Sequence, residues 1–248
     1  MSDIALFNQT EDELGRVKEC FNQQWKIYQK VLNNNYMGHR EIYSHLHELL
    51  VNYFQKPFTM LELGCGDASL TSQALLNTHI ASYKGIDLSI PALEIAKQNI
   101  TIVQCNATFT QGDFCELVAE LAQSQQNTFD AIFMSFALHH LHLEQKDRFI
   151  GQLKPLLTSD GVFILIDIVR QKEEDRETYI KRCLEGVQKH WSLLTSEEYL
   201  MVENHITSSD FPETQSTFQE ISQKHGFTRI DCLYHDPLNI TQLLCFHN

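Results

Sequence analysis

The chain has 248 residues, enough for one α/β domain with additions, and its 43% apolar and 21% charged residues are typical of a globular protein. Its 32 acidic and 19 basic residues give a net charge of −13, which argues against a nucleic-acid partner because phosphate binding over an extended surface needs a basic face. The seven cysteines are scattered, no apolar window approaches ~20 residues, and the chain starts with an acidic segment. These features predict a cytoplasmic protein with no signal peptide and no membrane partner. They leave its oligomeric state open.

The N-terminal part, from Glu11 to Phe54, is predicted to be helical. Apolar residues recur there every three or four positions, as on the buried face of a helix. The run Asn33-Asn34-Asn35 interrupts the pattern and predicts a break between two helices.

Strands and helices alternate from Phe58 onward, which predicts a parallel sheet covered by helices on both faces. The fifth predicted strand fits this arrangement, since Val162–Ile166 contains no polar residue. The predicted strands are 58–63, 82–87, 103–110, 129–134 and 161–169, and the predicted helices between them are 69–76, 91–99, 116–122 and 143–153.

The last third of the chain has a different pattern. Lys172–Trp191 is predicted to be a charged amphipathic helix, and Glu197–His205 continues the helical pattern. Thr214–Lys224 predicts a further helix, and two strands that form a closing hairpin follow it. The two strands are 226–233 and 240–246. We interpret the helices from 172 to 206 as a lid inserted into a single domain.

Two features at the ends of the first two strands predict a nucleoside site. The run Glu62-Leu63-Gly64-Cys65-Gly66 follows the first strand, and its glycines let the backbone turn tightly and approach a ligand closely. Asp87 ends the second strand, 23 residues after Gly64, where a carboxylate can accept both hydroxyls of a ribose. Together they indicate an adenosine-containing cofactor. The alternatives are a simple turn and an aspartate that caps the helix near Pro91.

The next two strand ends carry further candidate groups. Gly112-Asp113-Phe114 follows the third strand and offers an acid and an aromatic ring that suit an adenine. The fourth strand ends in Met134-Ser135-Phe136-Ala137-Leu138-His139-His140-Leu141.

These motifs, in this order, resemble the class I S-adenosylmethionine-dependent methyltransferases of the small-molecule type, over about residues 58–170 and, less sharply, the closing hairpin. The matching elements are the Glu-x-Gly-x-Gly loop, Asp87, Gly112-Asp113, and Phe129-Asp130-Ala131 leading into Ala-Leu-His-His-Leu. The resemblance implies a Rossmann-like, doubly wound seven-stranded sheet, mostly parallel with an antiparallel last strand. The third glycine often found in the family's loop is Ala68 here, a small departure. We divide the single domain into an N-terminal helical cap (1–55), a cofactor-binding core (56–170), an inserted helical lid (171–210) and a last helix with the closing hairpin (211–248).

The resemblance also implies the cofactor, S-adenosylmethionine, and the residues that bind it. Gly64 and Gly66 would lie against its methionine part, Asp87 would hold the ribose, and Asp113 with Phe114 would hold the adenine. Arg40 could pair with the methionine carboxylate or with a carboxylate of the substrate. The remaining residues of the predicted cofactor site are Glu62, Cys65, Leu88 and Ser135.

A dinucleotide is the weaker interpretation of the same loop. Its fingerprint needs a third glycine, and that position is Ser69 here. Asp67 also places a carboxylate where a pyrophosphate would lie and would repel it, whereas it would not repel a cationic sulfonium.

The acceptor class is predicted from the end of the fourth strand. The branch of the family that methylates amino groups of DNA and RNA usually carries Asn/Asp-Pro-Pro-Tyr there, whereas this chain has Ser135-Phe136-Ala137-Leu138. Together with the acidic charge, this difference favours a small-molecule substrate. The alternatives are a protein or RNA methyltransferase and a non-catalytic cofactor-binding protein of the same fold.

Three residues at the strand ends are candidate catalytic groups. His139 and His140, with an ordinary pKa of about 6.5, are candidate bases, or they only shape the loop. Asp167 closes the otherwise apolar fifth strand, where a carboxylate is more often functional or a cap than accidental. A metal bound by His139, His140 and His142 is a weaker interpretation, because Glu144 is the one carboxylate at ligand spacing, and we assign no metal.

Candidate substrate-binding residues come from the segment before the sheet and from the last third. Tyr36, His39 and Tyr43 flank Arg40 in a segment that often covers the cofactor in the family. The alternative is an amphipathic helix in which Tyr36 and Tyr43 belong to the core. From the last third we add Arg170, Tyr179 and Tyr234.

Overall fold

The computed structural model describes residues 26–124 and 128–248, so the part of the predicted helical segment from Glu11 to Trp25 lies outside the described residues. The strands are β1 Phe58–Leu63, β2 Ile80–Asp87, β3 Asn106–Gln111, β4 Phe129–Ser135, β5 Leu157–Ile168, β6 Arg229–His235 and β7 Thr241–His247. The helices are α1 (26–33), α2 His39–Tyr53, α3 Ser69–Ala74, α4 Ile90–Asn99, α5 Phe114–Ser124, α6 Leu143–Leu153, α7 Arg176–His190, α8 Ser196–Ser209 and α9 Gln215–Lys224. Within the two described ranges, no helix combines the length and the apolar character needed to cross a membrane.

All seven strands of the described residues form one sheet, in the order β3-β2-β1-β4-β5-β7-β6. β1 to β5 pair in parallel, and β7 runs antiparallel to both β5 and β6. The sheet confirms the predicted Rossmann-like fold with an antiparallel last strand. Strand order reverses between β1 and β4, and ligands of such sheets bind at the carboxyl ends of the strands beside this point.

Alternate residues of the central strands pack into two cores, one on each face of the sheet. In β4, Ile132 and Met134 join the core with residues of α5, α6 and α9. Ala131 and Phe133 join the opposite core, with residues of α2 and α3. β5 is fully buried from Val162 to Ile166, as its apolar run predicts. The sheet is therefore held from both sides, and its carboxyl ends form a firm edge on which side chains can be placed.

Several element boundaries differ from the prediction by a few residues, and three of them have a local reason. β5 begins at Leu157 because that residue already pairs with Phe129 of β4. β3 begins only at Asn106, after a 3₁₀ turn over Ile100–Ile102. α7 begins at Arg176 because the side chain of Asp175 accepts a hydrogen bond from the Thr178 amide (2.8 Å) and caps the helix there.

Candidate active site

The turn after β1 leaves its backbone open to a ligand. Gly64 and Gly66 have positive φ angles of 71° and 53°, which glycine adopts without strain. The amides of Gly64 and Cys65 both donate to the Ile86 carbonyl, at 2.8 and 2.9 Å, and so hold the turn against β2. A Cβ added at Gly66 would meet no atom within 4 Å. The free space over this glycine is a place where a ligand can approach the main chain.

Asp87, at the end of β2, joins two turns at the sheet edge. Its Oδ2 accepts a hydrogen bond from the Gly66 amide (2.8 Å), and its Oδ1 accepts one from the Ser89 amide (2.8 Å). The cap of α4 is Ser89, whose hydroxyl accepts from the Ala92 amide (3.3 Å), so the alternative of Asp87 as the helix cap does not hold. Each carboxylate oxygen keeps a second lone pair for a ligand hydroxyl.

Glu62 is a buried carboxyl group beneath the turn. It is 2% exposed and accepts hydrogen bonds from the hydroxyls of Thr71 (2.7 Å) and Tyr83 (2.5 Å). Burial raises its pKa to about 8, and the nearby carboxylates of Asp87 and Asp67 act in the same direction, against the two hydrogen bonds. Three acidic groups therefore surround the glycine turn, a setting that favours a cationic ligand.

The end of β3 places the two predicted adenine residues side by side. Asp113 Oδ1 accepts a hydrogen bond from the Cys115 amide (2.7 Å) at the start of α5. The ring of Phe114 packs edge-on against Phe149 of α6, with centroids 5.4 Å apart. Leu88, after β2, is 61% exposed and free to cover a ring. Contact of these residues with an adenine stays a prediction.

His139 and Asp167 come together at the ends of β4 and β5. The His139 ring Nδ1 lies 2.5 Å from Asp167 Oδ1, and its main-chain amide donates to Asp167 Oδ2 (2.9 Å). Burial alone would lower the pKa of His139, but the carboxylates of Asp167 and Asp210 raise it above its ordinary value. Burial, followed by the neighbouring His139, lowers the pKa of His140 to about 4. Asp167 thus orients the His139 ring, and the two histidines differ strongly in their environment.

Two buried polar atoms beside the end of β4 have no hydrogen-bond partner among the described residues. They are the Nδ1 of His39 and the hydroxyl of Ser135. His39 is 3% exposed and packs against the ring of Phe136, with centroids 4.9 Å apart. Burial lowers the pKa of His39 to about 4, so its ring is neutral near pH 7. Buried polar atoms are nearly always paired, and unpaired ones indicate a place for a ligand.

The cap and the lid contact each other through aromatic and polar side chains. Tyr36 stacks on Trp191 with ring centroids 5.2 Å apart and planes 7° from parallel. Its hydroxyl accepts a hydrogen bond from the Leu193 amide (3.0 Å), and Lys30 binds Glu198 (2.7 Å). Tyr36, which the sequence predicts as a substrate residue, therefore joins α1–α2 to α7–α8.

Helix α1 also reaches the acidic groups beneath the glycine turn. Burial raises the pKa of Tyr28, and the charges of Asp67, Glu62 and Asp87 add to the effect. A tyrosine of the cap thus lies within electrostatic reach of all three carboxyl groups. The cap covers the donor side of the site as well as its outer side.

Other predicted residues have structural contacts of their own. Arg40 donates through Nη2 to the Asn33 carbonyl (3.0 Å), and Tyr43 packs edge-on against Phe133 at 6.1 Å. Arg170 donates through Nε to the Pro212 carbonyl (2.6 Å) at the base of the lid. Contact of these three residues with a cofactor or substrate stays a prediction.

The two remaining tyrosines lie on different sides of the site. Tyr179 is fully buried in α7, and Tyr234 of β6 packs against His45 with centroids 4.8 Å apart. Asp210, at the end of α8, was not among the predicted residues although it lies beside His139. No sequence pattern marks it, because α8 brings it to the edge from far along the chain.

The chain is similar in sequence to known methyltransferases. A family model described as a methyltransferase domain matches residues 55–236. An uncharacterized methyltransferase of Bacillus cytotoxicus is 28% identical over 212 residues, which cover 85% of this chain and 91% of the relative. A second one, of Bacillus mycoides, is 26% identical over the same shares of both chains.

Solved structures share the fold at low sequence identity. The magnesium protoporphyrin IX methyltransferase of Synechocystis, solved with bound S-adenosylhomocysteine, matches 93% of this chain and 94% of its own, with a TM-score of 0.60 and 16% identity. A plantazolicin methyltransferase, also solved with S-adenosylhomocysteine, matches 96% of this chain and 90% of its own, with a TM-score of 0.55 and 14% identity. The family match extends over well more than half of the residues and shows that this chain belongs to the S-adenosylmethionine-dependent methyltransferases.

Proposed function

We propose that the protein transfers the methyl group of S-adenosylmethionine to a small-molecule acceptor that binds beneath the contact between cap and lid. The observation that carries the proposal is the contact of Tyr36 with Trp191 and of Lys30 with Glu198. These contacts join the cap to the lid, and a cap joined to a lid favours a small acceptor over a polymer.

The residues of the donor side fit S-adenosylmethionine. The open space over Gly66 admits its methionine part against the backbone, and the free lone pairs of Asp87 suit the two ribose hydroxyls. The carboxylates of Asp67 and Asp87 favour the positive charges of this donor and disfavour a pyrophosphate. Glu62, which is protonated in the free protein near pH 7, can add a third negative charge when a cationic donor binds. When bound, the donor supplies an electrophilic methyl group, and the protein's task is to align the acceptor with it.

On the acceptor side, the groups that we propose to bind the acceptor are the unpaired buried atoms of His39 and Ser135 beside the end of β4. The neutral His39 ring and the Ser135 hydroxyl can each form a hydrogen bond with a polar group of the acceptor. Phe136, against which His39 packs, adds an apolar wall. The acceptor we propose is therefore a small molecule with both polar and apolar parts.

Calorimetry with S-adenosylmethionine and S-adenosylhomocysteine tests the donor. We expect both to bind, and we expect Asp87→Ala to weaken binding at least tenfold, about 1.4 kcal/mol. Asp160→Ala, which changes an exposed acid on β5 outside the site, is the matched control and should keep the affinity. Binding of neither compound by the unmodified chain would refute the assignment of the donor.

The acceptor class is tested with a donor that carries a labelled methyl group. The protein is incubated with this donor and a cell extract separated into small-molecule, protein and RNA fractions. We expect protein-dependent label in the small-molecule fraction. Label in the protein or RNA fraction alone would contradict the proposal and favour a macromolecular acceptor.

A further inference from the structure

We propose that His139, His140, His205 and Asp210 bind one divalent transition-metal ion, and that Zn²⁺ is the ion they suit. The four residues lie at the carboxyl edge, where the turn after β4 meets the end of α8. The proposal does not depend on methyl transfer, since it concerns a site that is separate from the donor-binding turn.

The spacing of the four side chains matches a set of metal ligands. Asp210 Oδ1 lies 3.5 Å from His205 Nε2, 3.6 Å from His139 Nε2 and 3.8 Å from His140 Nδ1. One nitrogen of each histidine and this oxygen all lie within 4.8 Å of one another. A tetrahedral zinc ion with bonds of about 2.0–2.1 Å separates its ligand atoms by about 3.3–3.5 Å. A small closure of the cluster would therefore complete the coordination shell.

Asp210 gives independent support for a missing partner. Its side chain is 7% exposed, and its Oδ1 is buried without a hydrogen-bond partner in the part of the chain that the structure describes. A buried carboxylate oxygen with no partner is costly. Three imidazole nitrogens lie 3.5–3.8 Å from this oxygen without forming a hydrogen bond to it, and a cation among the four atoms would give the oxygen a partner.

Asp167 prepares His139 for the role of a ligand. The contact of 2.5 Å between Asp167 Oδ1 and His139 Nδ1 holds a proton on Nδ1, so Nε2, which lies 3.6 Å from Asp210 Oδ1, is the nitrogen that the ring can offer to a metal ion. Carboxylates behind a metal-binding histidine fix its tautomer and orientation in the same manner. His140 is held less firmly, since its Nδ1 also lies 3.1 Å from the Ser209 carbonyl, a contact that a metal ion would replace.

The ligand types select the metal. Three imidazoles and one carboxylate suit zinc and its transition-metal neighbours, whereas Mg²⁺ and Ca²⁺ prefer oxygen ligands. Zinc accepts a tetrahedral arrangement of nitrogen and oxygen without a preference of its own. The side chains of His140 and His205 are 39% and 52% exposed, so an ion can enter from solvent.

A bound ion would fasten the lid to the sheet. His205 and Asp210 belong to α8 and its end, while His139 and His140 belong to the turn after β4. Coordination would therefore cross-link two segments about 70 residues apart in sequence, and it should stabilise the folded chain in proportion to the free metal.

The experiment measures metal content and needs neither donor nor acceptor. Tag-free protein is stripped with a chelator, dialysed against ZnCl₂, and assayed for zinc by mass spectrometry. We expect close to one zinc per chain, and we expect Asp210→Asn and His205→Ala to lower the affinity at least tenfold. His190→Ala, which removes another exposed histidine of the lid, is the matched control and should leave zinc binding unchanged.

A second measurement separates lost binding from lost folding. Zinc should raise the melting temperature of the wild-type and His190→Ala proteins but not that of His205→Ala, whose exposed side chain is removed without disturbing the core. Co²⁺ in place of zinc should give the visible absorption of a tetrahedral site. Wild-type protein that takes up no more zinc than the two ligand variants would overturn the proposal, and methyl transfer by that zinc-free protein would leave the proposed function intact.

Discussion

At the scale of single residues, Glu62 combines burial with a position beside the donor turn. Its raised pKa of about 8 means that the free protein holds this carboxyl group protonated at neutral pH. A cationic donor bound nearby favours the charged form and lowers the pKa again. Binding and deprotonation are therefore linked.

The linkage predicts a pH-dependent affinity for S-adenosylmethionine. Between about pH 4.5, the ordinary pKa, and about pH 8, donor binding should release up to one proton from Glu62, so the affinity should rise as the pH increases through this range. Calorimetry in buffers of different ionisation enthalpy counts the released protons. Glu62→Gln should abolish the release, and a wild-type protein that releases none would show that the donor does not sense this carboxyl group.

At Ser135 we expect a conflict between the stability of the ligand-free protein and the binding of the acceptor. Its buried hydroxyl forms no hydrogen bond of good geometry among the described residues, although the Tyr43 side chain lies near enough to interact with it. An unpaired hydroxyl costs about 1–3 kcal/mol. Ser135→Ala should raise the free energy of unfolding of the ligand-free protein by about 1 kcal/mol in urea titrations. Thr71→Val is the matched control, because the Thr71 hydroxyl donates to Glu62 (2.7 Å) and its loss should destabilise the protein. A Ser135→Ala protein that is less stable than wild type would mean that the hydroxyl is paired.

Site residues that belong to local sequence motifs could be predicted, whereas site residues that come together only through tertiary contacts could not. The positions of Gly64, Gly66 and Asp87 follow from the order of strand, turn and helix, so the sequence places them at one edge. Asp210 and Tyr83 reach the site through tertiary contacts that have no local signature. For the same reason, the sequence indicated Glu144 as the carboxylate at ligand spacing from the histidines, whereas the fold brings Asp210 beside them.

At the scale of elements, the lid was predicted from its position between the fifth strand and the last helix. Its contact with the cap was not predicted, because the stacking of Tyr36 on Trp191 joins segments with no common pattern. The bounds of β1 were predicted correctly, whereas β5 begins at Leu157 rather than at the predicted Gly161 although its central part is fully buried. The edge strand β3 lacks a continuous apolar run, since its residues are exposed or half-buried, and its start was therefore misplaced.

The aromatic contact predicts the mobility of the lid. Trp191→Ala removes the stacking partner of Tyr36 and should increase amide hydrogen exchange across residues 176–209 while leaving the central strands protected. Leu200→Ala, which changes a side chain that is 60% exposed on α8, is the control and should leave exchange unchanged. Equal exchange in wild type and Trp191→Ala would show that other contacts hold the lid.

At the scale of the whole molecule, the strand order describes the fold, whereas the net charge bears on the binding partner. The family resemblance implied a seven-stranded sheet with an antiparallel last strand. The order β3-β2-β1-β4-β5-β7-β6 was not predicted, since strand order cannot be deduced from hydrophobic periodicity alone. The net charge of −13 says nothing about the fold but bears on the choice of partner.

The charge predicts that RNA does not bind. Fluorescence anisotropy with a labelled single-stranded RNA at low ionic strength, where phosphate contacts are strongest, should show no saturable binding. An affinity that falls steeply as salt is added would contradict this expectation and reopen the RNA methyltransferase alternative.

Ala68 occupies the position where the family's loop often has a third glycine, and it has a positive φ of 51°. Its methyl group fits, as its 2% exposure shows, but the left-handed conformation costs an alanine about 1–2 kcal/mol. In return, an alanine held there has fewer alternative conformations than a glycine would have. The packing around Ala68 therefore has to hold this conformation against its cost, so we expect Ala68→Gly to change the stability of the donor loop before it changes any contact with the donor.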